Sequence, residues 1–168
     1  MFVSAVGVTK EQFNRDEPSG IPSLSDGIRL TTKGGPDFSC YLITKEAHEK
    51  YPFDEAFIPA FAEDLDMHRR YMLGGDGHRN FSVNLPFHHV KGGSQTLKTM
   101  TPEKKAAWED RINKGSRAHY RSKWGGDVNA ERFTIPFDVE SAQDGVTTPD
   151  LQRMIQGDVP TPTNPPTD

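Results

Sequence analysis

The densest group of side chains that could carry out chemistry lies between Phe53 and Arg70 and is rich in carboxylates. In a helix, Asp64 has His68 four residues later, and Asp66 has Arg70 at the same spacing. The free amides and the dipole at a helix start favour a carboxylate, so Asp64 is placed to act as a base or a ligand. The alternative is that these acids only stabilise the helix start and pair with its arginines. The sequence supports both interpretations.

Asp64 and Asp66, one residue apart, also match the Asp-x-Asp pattern that holds metal and diphosphate in enzymes acting on sugar nucleotides. In those enzymes the pattern follows a strand, so that both acids project from the strand end. Here Phe61, Leu65 and Met72 keep to one face of a helix. We therefore predict a helix at this position and exclude the metal motif.

Strand and helix patterns alternate along the chain, which predicts the α/β class. Hydroxyl residues that can cap free amides precede two of the helices, and paired glycines end two others. The predicted elements, in chain order, are a strand at 2–8, a strand at 38–43, a helix capped by Thr44, a helix after Pro59 that ends at Gly74, a strand or extended segment at 81–90, a helix capped by Thr101 and a helix at 116–124. Gly115 is expected to separate the last two helices.

The chain has 168 residues, of which 33% are hydrophobic, so it fits one domain with a modest core. No apolar run approaches the roughly 20 residues that cross a bilayer, and the first residues lack a signal-peptide pattern. We therefore expect a soluble, unexported protein that does not bind a membrane. The single cysteine, Cys40, excludes an internal disulfide and lies in an apolar run, where we expect it to be buried.

Charge is distributed unevenly between the body of the chain and its tail. Residues 138–168 hold six acids and one base, so they contribute −5 to the net charge of −4 and leave residues 1–137 at +1. We expect no nucleic-acid partner, because binding phosphates requires a clustered basic face. The tail is rich in proline and lacks aromatic residues, so we expect it to be extended or disordered. The exception is an amphipathic helix at about 149–156, which could dock onto a partner.

Several short segments occur in an order that is typical of one family. They are Phe38–Ile43, Phe53–Glu55 and Glu63–Asp66, followed by Gly93–Thr96, Tyr120–Gly126 and Phe133–Phe137. The first three are similar to the acceptor-side half of family-2-type GT-A glycosyltransferases, and the later ones resemble the phage-encoded branch of that family. The resemblance covers about residues 36–137.

This resemblance implies a truncated GT-A-like domain over residues 1–137, with a small mixed sheet and flanking helices, and an extended C-terminal tail at 138–168. The nucleotide-binding half of the family should lie before residue 1, and nothing in residues 1–35 can substitute for it. We therefore expect the chain to be inactive alone. A divalent metal, Mn²⁺ or Mg²⁺, is expected as a cofactor only when a separately encoded nucleotide-binding half complements the chain.

The resemblance also assigns roles to individual residues. In the pair Glu63 and Asp64, the second acid resembles the general base, which takes a proton from an acceptor hydroxyl while that oxygen attacks the anomeric carbon with inversion. His89, or His88 beside it, resembles a metal-holding histidine. Only one of the two can serve, because adjacent strand residues face opposite sides. The alternative for either histidine is a packed or surface residue.

Three further residues are candidates for binding the acceptor, namely Tyr120, Trp124 and Arg69. For the two aromatic residues, which are four apart on a helix, the alternative is a place in the core. For Arg69 the alternative is a surface ion pair with Asp66.

Two functions from different classes follow from these observations. The first is the acceptor-side part of an inverting glycosyltransferase, which transfers sugar from a nucleotide sugar to a hydroxyl acceptor with the help of a separate nucleotide-binding half. The second is a non-catalytic structural or interaction protein of a phage particle, bound to other phage structural proteins through residues 138–168. The first predicts a location in the host cytoplasm, and the second allows one in the virion. The sequence leaves open whether the chain is an enzyme.

Overall fold

The computed structural model describes residues 1–8, 27–32, 38–88, 99–143 and 146–156. These residues form a four-stranded sheet in the order β2-β4-β1-β3. The strands are β1 at Phe2–Val8, β2 at Leu30–Thr32, β3 at Tyr41–Ile43 and β4 at Asn80–His88. The two central strands, β1 and β4, are parallel, and each edge strand is antiparallel to its neighbour. The predicted α/β class, with a small mixed sheet, is confirmed.

Five α-helices lie in the described ranges. They are α1 at Lys45–Lys50, α2 at Glu63–Leu73, α3 at Pro102–Ile112, α4 at Ala118–Trp124 and α5 at Thr148–Gln156. A π-helical turn at Asn113–Arg117 joins α3 to α4 without a break. Single 3₁₀ turns lie at Gly77–Arg79 and Val139–Ser141.

The predicted helix caps are present. Thr44 Oγ1 accepts a hydrogen bond from the amide of Ala47 at 3.3 Å, which starts α1. Thr101 Oγ1 accepts one from the amide of Lys104 at 3.4 Å, and the proline after Thr101 occupies the first turn of α3. Gly125 ends α4 in the left-handed region with φ 71°, a conformation that favours glycine.

One face of the sheet packs against α1 and α2. Phe2, at the centre of this face, is fully buried and pairs in register with Ile43 of β3 and Asn80 of β4. The buried members of this core cluster are Phe2, Ala47, Tyr51, Met67 and Tyr71. Side chains alternate along a strand, so Leu42 lies on the opposite face, where it is 75% exposed. Helices α1 and α2 thus cover one face of the sheet, and Leu42 marks the other.

Cys40, which we expected to be buried, is exposed. It immediately precedes β3, which is an edge strand of only three residues. Because an edge strand has a neighbouring strand on one side only, some side chains of an apolar run there remain exposed.

A second core cluster joins the start of α2 to α4 and contains Phe57, Ala62, Tyr120 and Trp124. Asp66, which is fully buried, contacts this cluster through Trp124. Asp66 Oδ1 lies 2.9 Å from Trp124 Nε1 and 2.8 Å from Lys123 Nζ, and its Oδ2 lies 2.9 Å from Arg70 Nε. We call these four residues the Asp66 network. Because an unpaired buried charge is costly, the network fixes α2 against α4.

The helix expected near the end of the chain is present as α5, and its start is attached to the body. The amide of Thr148 donates to Glu131 Oε2 at 3.1 Å, and Arg69 donates to the carbonyl of Val146 at 2.8 Å. Earlier in the tail, the amide of Gln143 donates to the carbonyl of Arg132 at 2.9 Å. Residues 138–143 and 146–148 are therefore packed on the rest of the chain. The tail residues 144–145 and 157–168 lie outside the described residues.

None of the helices in the described ranges is long and apolar enough to cross a lipid bilayer.

The Asp66 network predicts a large loss of stability when its acid is neutralised. Asp66→Asn keeps the shape of the side chain but leaves Lys123 and Arg70 without its charge, so we expect a loss of about 3 kcal/mol in the free energy of unfolding. Asp110→Asn is the matched control, because Asp110 is an exposed acid whose ion pair with Lys114 is also exposed. Urea denaturation measures both variants, and a loss below about 1 kcal/mol in Asp66→Asn contradicts the prediction.

Candidate functional site

The candidate site is built on the start of α2, where the backbone is strained. Phe61 and Ala62 adopt positive φ values of 89° and 69°, and no side chain caps the helix. Residues other than glycine rarely adopt this conformation, and they keep it only where the surrounding structure enforces it. Ala62 is 2% exposed within the second core cluster, so packing holds this turn in place.

Glu63 and Asp64, the predicted catalytic pair, follow this turn as the first two residues of α2. Asp64 is half-buried, and its Oδ1 accepts a hydrogen bond from the amide of Leu65 at 2.8 Å. Glu63 Oε2 is buried and has no hydrogen-bond partner among the described residues. Asp64 therefore lies next in sequence to a second acid whose carboxylate is partly removed from solvent.

The environment changes the acidity of Asp64. Burial raises the pKa of Asp64 above its ordinary value, and the negative charge of Glu63 adds to this increase, while the hydrogen bond from Leu65 opposes it. A carboxylate with a raised pKa is a stronger base than an exposed one. The geometry thus suits Asp64 to accept a proton.

A cleft of about 310 Å³ adjoins the start of α2. Its lining consists of Phe61, Glu109, Ile112, Asn113 and Arg117, and we call it the Phe61 cleft. The Arg117 guanidinium lies 4.5 Å from the centroid of the Phe61 ring and donates to Asn113 Oδ1 at 2.9 Å. The turn before Asp64 therefore forms one wall of this cleft, and α3 with the π-helical turn forms the other.

Gly115 allows the π-helical turn to approach the loop before α2. A Cβ atom on Gly115 would lie 2.5 Å from the carbonyl oxygen of Ile58. The sequence pattern predicted a helix break at Gly115, but the helix continues through it as a π-helical turn. The glycine is needed for this close packing, and the packing in turn fixes the distance between the walls of the Phe61 cleft.

A second charged cluster lies beside α4. Asp54 Oδ2 is 2.6 Å from Lys123 Nζ and 3.0 Å from His119 Nε2. Burial by itself would raise the pKa of Asp54, but the hydrogen bonds from Lys123 and His119 outweigh it and hold the pKa of Asp54 below its usual range. Because Lys123 also pairs with Asp66, this cluster connects the surface to the Asp66 network.

The three predicted acceptor-binding residues are buried. Tyr120 is 1% exposed, while Trp124 and Arg69 have no exposed surface. Tyr120 donates to Glu131, Trp124 donates to Asp66, and Arg69 donates to the carbonyl of Phe133. This burial gives Tyr120, Trp124 and Arg69 structural contacts inside the fold, and their assignment to acceptor binding stays a prediction. The core alternative holds for the aromatic pair, and Arg69 is a buried structural residue instead of a surface ion-pair partner.

The predicted metal-holding histidines are only partly described. His88 ends β4, in register with Val8 of β1, and His89 lies outside the described residues. Within the part of the chain that the structure describes, no group of three or more His, Cys, Asp or Glu side chains could hold a metal ion. Asp64 and Asp66 lie inside α2, as predicted when the Asp-x-Asp metal motif was excluded.

Comparisons with known proteins gave no relatives for this chain. No family model, curated protein or solved structure matches it.

The polar residues of the Phe61 cleft were not predicted from the sequence. Glu109, Asn113 and Arg117 have helical spacing of four, which is equally typical of an exposed helix face. The available signal was Gly115, because a glycine inside a helical pattern often marks close packing against another segment.

Gly115→Ala tests whether close packing shapes the Phe61 cleft. The added methyl group would meet a backbone oxygen that cannot move freely, so we expect a loss of about 1–3 kcal/mol in the free energy of unfolding. Lys114→Ala, at the exposed neighbouring position, should change the free energy by less than about 1 kcal/mol. Urea denaturation of both variants measures the difference, and equal stability would show that the π-helical turn tolerates the methyl group.

The raised pKa of Asp64 predicts that this acid destabilises the fold at neutral pH. A group whose pKa is higher in the folded than in the unfolded state binds protons more readily when folded, so its ionised form weakens folding. Asp64→Asn should therefore raise the melting temperature at pH 7. This increase in melting temperature should shrink as the pH falls through the raised pKa of Asp64 in the folded state. It should vanish below the ordinary pKa of an exposed aspartate, where the acid is protonated in both states.

Thermal unfolding of the wild type and Asp64→Asn across this pH range measures the effect. The control is Asp110→Asn, since Asp110 is an exposed acid on α3. It shows how much the melting temperature changes when any helix carboxylate is removed. A lower melting temperature for Asp64→Asn at pH 7 would mean that Asp64 stabilises the helix start instead.

Proposed function

We propose that this chain supplies the acceptor side of an inverting glycosyl transfer. The observation that carries the proposal is the desolvated carboxylate of Asp64 at the start of α2, directly after the strained turn at Phe61 and Ala62. In the proposed reaction Asp64 takes the proton of an acceptor hydroxyl. The hydroxyl oxygen forms a bond to the anomeric carbon of a nucleotide sugar, and the bond from that carbon to the diphosphate breaks.

Asp64 has the properties that this reaction requires of its base. General base catalysis requires a carboxylate that is ionised, strongly basic and within reach of the hydroxyl. Burial and the neighbouring charge of Glu63 raise the basicity of Asp64, and no cation among the described residues neutralises it. By contrast, Asp54 and Asp66 are each held by Lys123, so neither is available as a base.

The donor side of the reaction requires groups beyond this site. A nucleotide-binding half would hold the nucleotide sugar in this proposal. Mn²⁺ or Mg²⁺, when bound there, would neutralise the charge that develops on the diphosphate. Of the residues expected to hold the metal, the structure describes only His88, and a single histidine does not make a metal site. We therefore assign no step of this chain's chemistry to a metal.

A non-catalytic role in a phage particle is the second candidate, and one observation favours it. The segment that leads into the tail exposes Ile135, Phe137 and Val139, which are 55%, 54% and 71% exposed. Exposed apolar side chains close together in sequence are typical of a protein interface. A structural role through this segment and residues 138–168 would leave Glu63 and Asp64 without a catalytic task.

Asp64→Asn tests the proposed transfer. With a nucleotide-binding half and an acceptor present, the wild-type chain should release nucleoside diphosphate from a nucleotide sugar, and Asp64→Asn should slow this release by at least about 100-fold. The rate of the wild type should fall as the pH drops through the raised pKa of Asp64, because the protonated acid cannot accept the hydroxyl proton.

Asp110→Asn is the control for this assay, since Asp110 is an exposed acid on α3 outside the cleft lining, and it should leave turnover unchanged. Equal turnover in Asp64→Asn and the wild type would exclude the mechanism. Recovery of the chain in purified particles, together with such equal turnover, would favour the structural role.

A further inference from the structure

The loop at residues 133–141, which we call the apolar loop, carries apolar side chains whose surface is largely exposed. Ile135, Phe137 and Val139 are each more than half exposed. Apolar surface in contact with water costs free energy, and a group of such side chains on a folded protein is typical of an interaction surface. The apolar loop is therefore a candidate for binding a partner.

The apolar loop is held in one conformation. Ser141 Oγ accepts a hydrogen bond from the amide of Ile135 at 3.0 Å and donates one to the carbonyl of Asp138 at 2.7 Å. The amide of Phe137 donates to the carbonyl of Lys123 at 2.8 Å, which attaches the loop to α4. Phe137 has a positive φ of 64°, which a residue other than glycine keeps only where its surroundings enforce it. A loop that is already fixed loses less conformational entropy when it binds.

Negative charge accompanies the apolar side chains of this loop. Asp138 and Glu140 alternate with Phe137 and Val139 along the chain. Asp138 Oδ1 accepts a hydrogen bond from the amide of Glu140 at 3.0 Å, and no ion pair among the described residues involves either carboxylate. A surface that complements the apolar loop would therefore combine apolar side chains with cations.

Helix α3 presents a surface of this kind. None of its residues is buried, and Trp108 is half-buried. At about 100° per residue, the three cations of the helix lie within about 60° of Trp108 around the axis, and the three acids lie about 100° or more away. The cations are Lys104, Lys105 and Arg111, and the acids are Glu103, Glu109 and Asp110. The face around Trp108, which we call the Trp108 face, is thus both apolar and basic.

From these two surfaces we infer that a second copy of this chain is the partner. The apolar loop of one copy binds the Trp108 face of the other, so that Phe137 and Val139 cover Trp108, and Glu140 meets Lys104 and Lys105. Because each copy carries both surfaces, two-fold symmetry forms the contact twice and closes a dimer. The contact does not involve Asp64, so it goes beyond the proposed function and is independent of it.

Other partners match the two surfaces less well. A nucleic acid or an anionic membrane would be attracted to the Trp108 face, but Asp138 and Glu140 repel phosphate groups at the apolar loop. A different protein would have to complement an acidic surface and a basic surface at once. A second copy of the chain supplies both.

Sedimentation velocity of the full chain tests the dimer. From about 1 to about 200 µM, which covers micromolar dissociation constants, the mass should rise from 18.8 kDa towards twice that value. Tryptophan fluorescence gives a second readout, because Trp108 and Trp124 are the two tryptophans and Trp124 has no exposed surface. Acrylamide therefore reports Trp108, and its quenching should fall over the same concentrations.

Charge reversal tests which surfaces meet. Glu140→Lys should weaken the dimer by about tenfold or more, and so should Lys104→Glu combined with Lys105→Glu, because each puts like charges together. Acids in the first turn of a helix are favourable, so the second variant keeps α3 intact. An equal mixture of the two variants should associate again, since the changed loop then meets the changed helix and the unchanged loop meets the unchanged helix.

The apolar part of the contact has its own matched pair of variants. Val139→Ser should weaken the dimer by about fivefold or more, because Val139 loses the apolar area that it buries on association. Leu42→Ser is the control, since Leu42 is equally exposed but lies on the open face of the sheet. It should leave the dimer as it is in the wild type.

The outcomes that contradict the dimer are specific. A chain that stays monomeric up to about 200 µM overturns the inference. So does a dimer that both charge reversals leave unchanged, or a mixture of the two variants that fails to associate. A dimer that Leu42→Ser weakens and Val139→Ser does not would lie on the sheet instead. Asp64→Asn should abolish transfer and leave the dimer intact, so the proposed function and the dimer can fail separately.

Discussion

A buried negative charge at Asp66 is the constraint on which the arrangement of the helices depends. Its two oxygens accept hydrogen bonds from Trp124, Lys123 and Arg70. Lys123 also forms an ion pair with Asp54, which is partly exposed. Because these partners come from both α2 and α4, only one rotation of α2 satisfies them. Successive helix residues turn by about 100°, so Asp64 lies about 200° from Asp66 around the helix axis. The network that turns Asp66 into the core therefore places Asp64, which is half-buried, on a different side of α2.

A second buried network attaches the end of the chain to the same helices. Burial, together with the hydrogen bond to Glu131, raises the pKa of Tyr120, so this phenol stays protonated and donates. Although burial alone would raise the pKa of Glu131, the hydrogen bond from Tyr120 and backbone amides including that of Thr148 lower it. Glu131 therefore stays ionised and holds the start of α5 through Thr148. Arg69 Nη1 lies 3.8 Å from Glu131 Oε2, so the two charges balance each other. This pairing explains why the fold can bury the guanidinium of Arg69 completely.

Local features of this structure were predictable and long-range ones were not. Thr44 and Thr101 are caps with the expected hydrogen bonds, since a capping residue acts within three positions of its own place in the sequence. The parallel pairing of β1 with β4 joins segments that are distant in the chain, and no local pattern specifies such a register. At the site, the acids at the start of α2 were recognisable, but the strain at Ala62 was not, because alanine gives no sign of a positive φ. The burial of Arg69 was also hidden, since its partner Glu131 is far away in sequence.

The contrast among the acids is the strongest physical reason to regard Asp64 as functional. Asp66 and Glu131 are fully buried, Asp54 is partly buried, and each lies within 4 Å of a cation. Pairing with a cation is expected of a buried carboxylate that only stabilises the fold. Among the described residues Asp64 has no such cation, and the charge of Glu63 beside it makes ionisation harder. A neutral side chain at this position would remove that cost without disturbing the Asp66 network. A desolvated acid that is retained at such a cost is a candidate for a group that exchanges protons, because a raised pKa is the property that such an exchange uses.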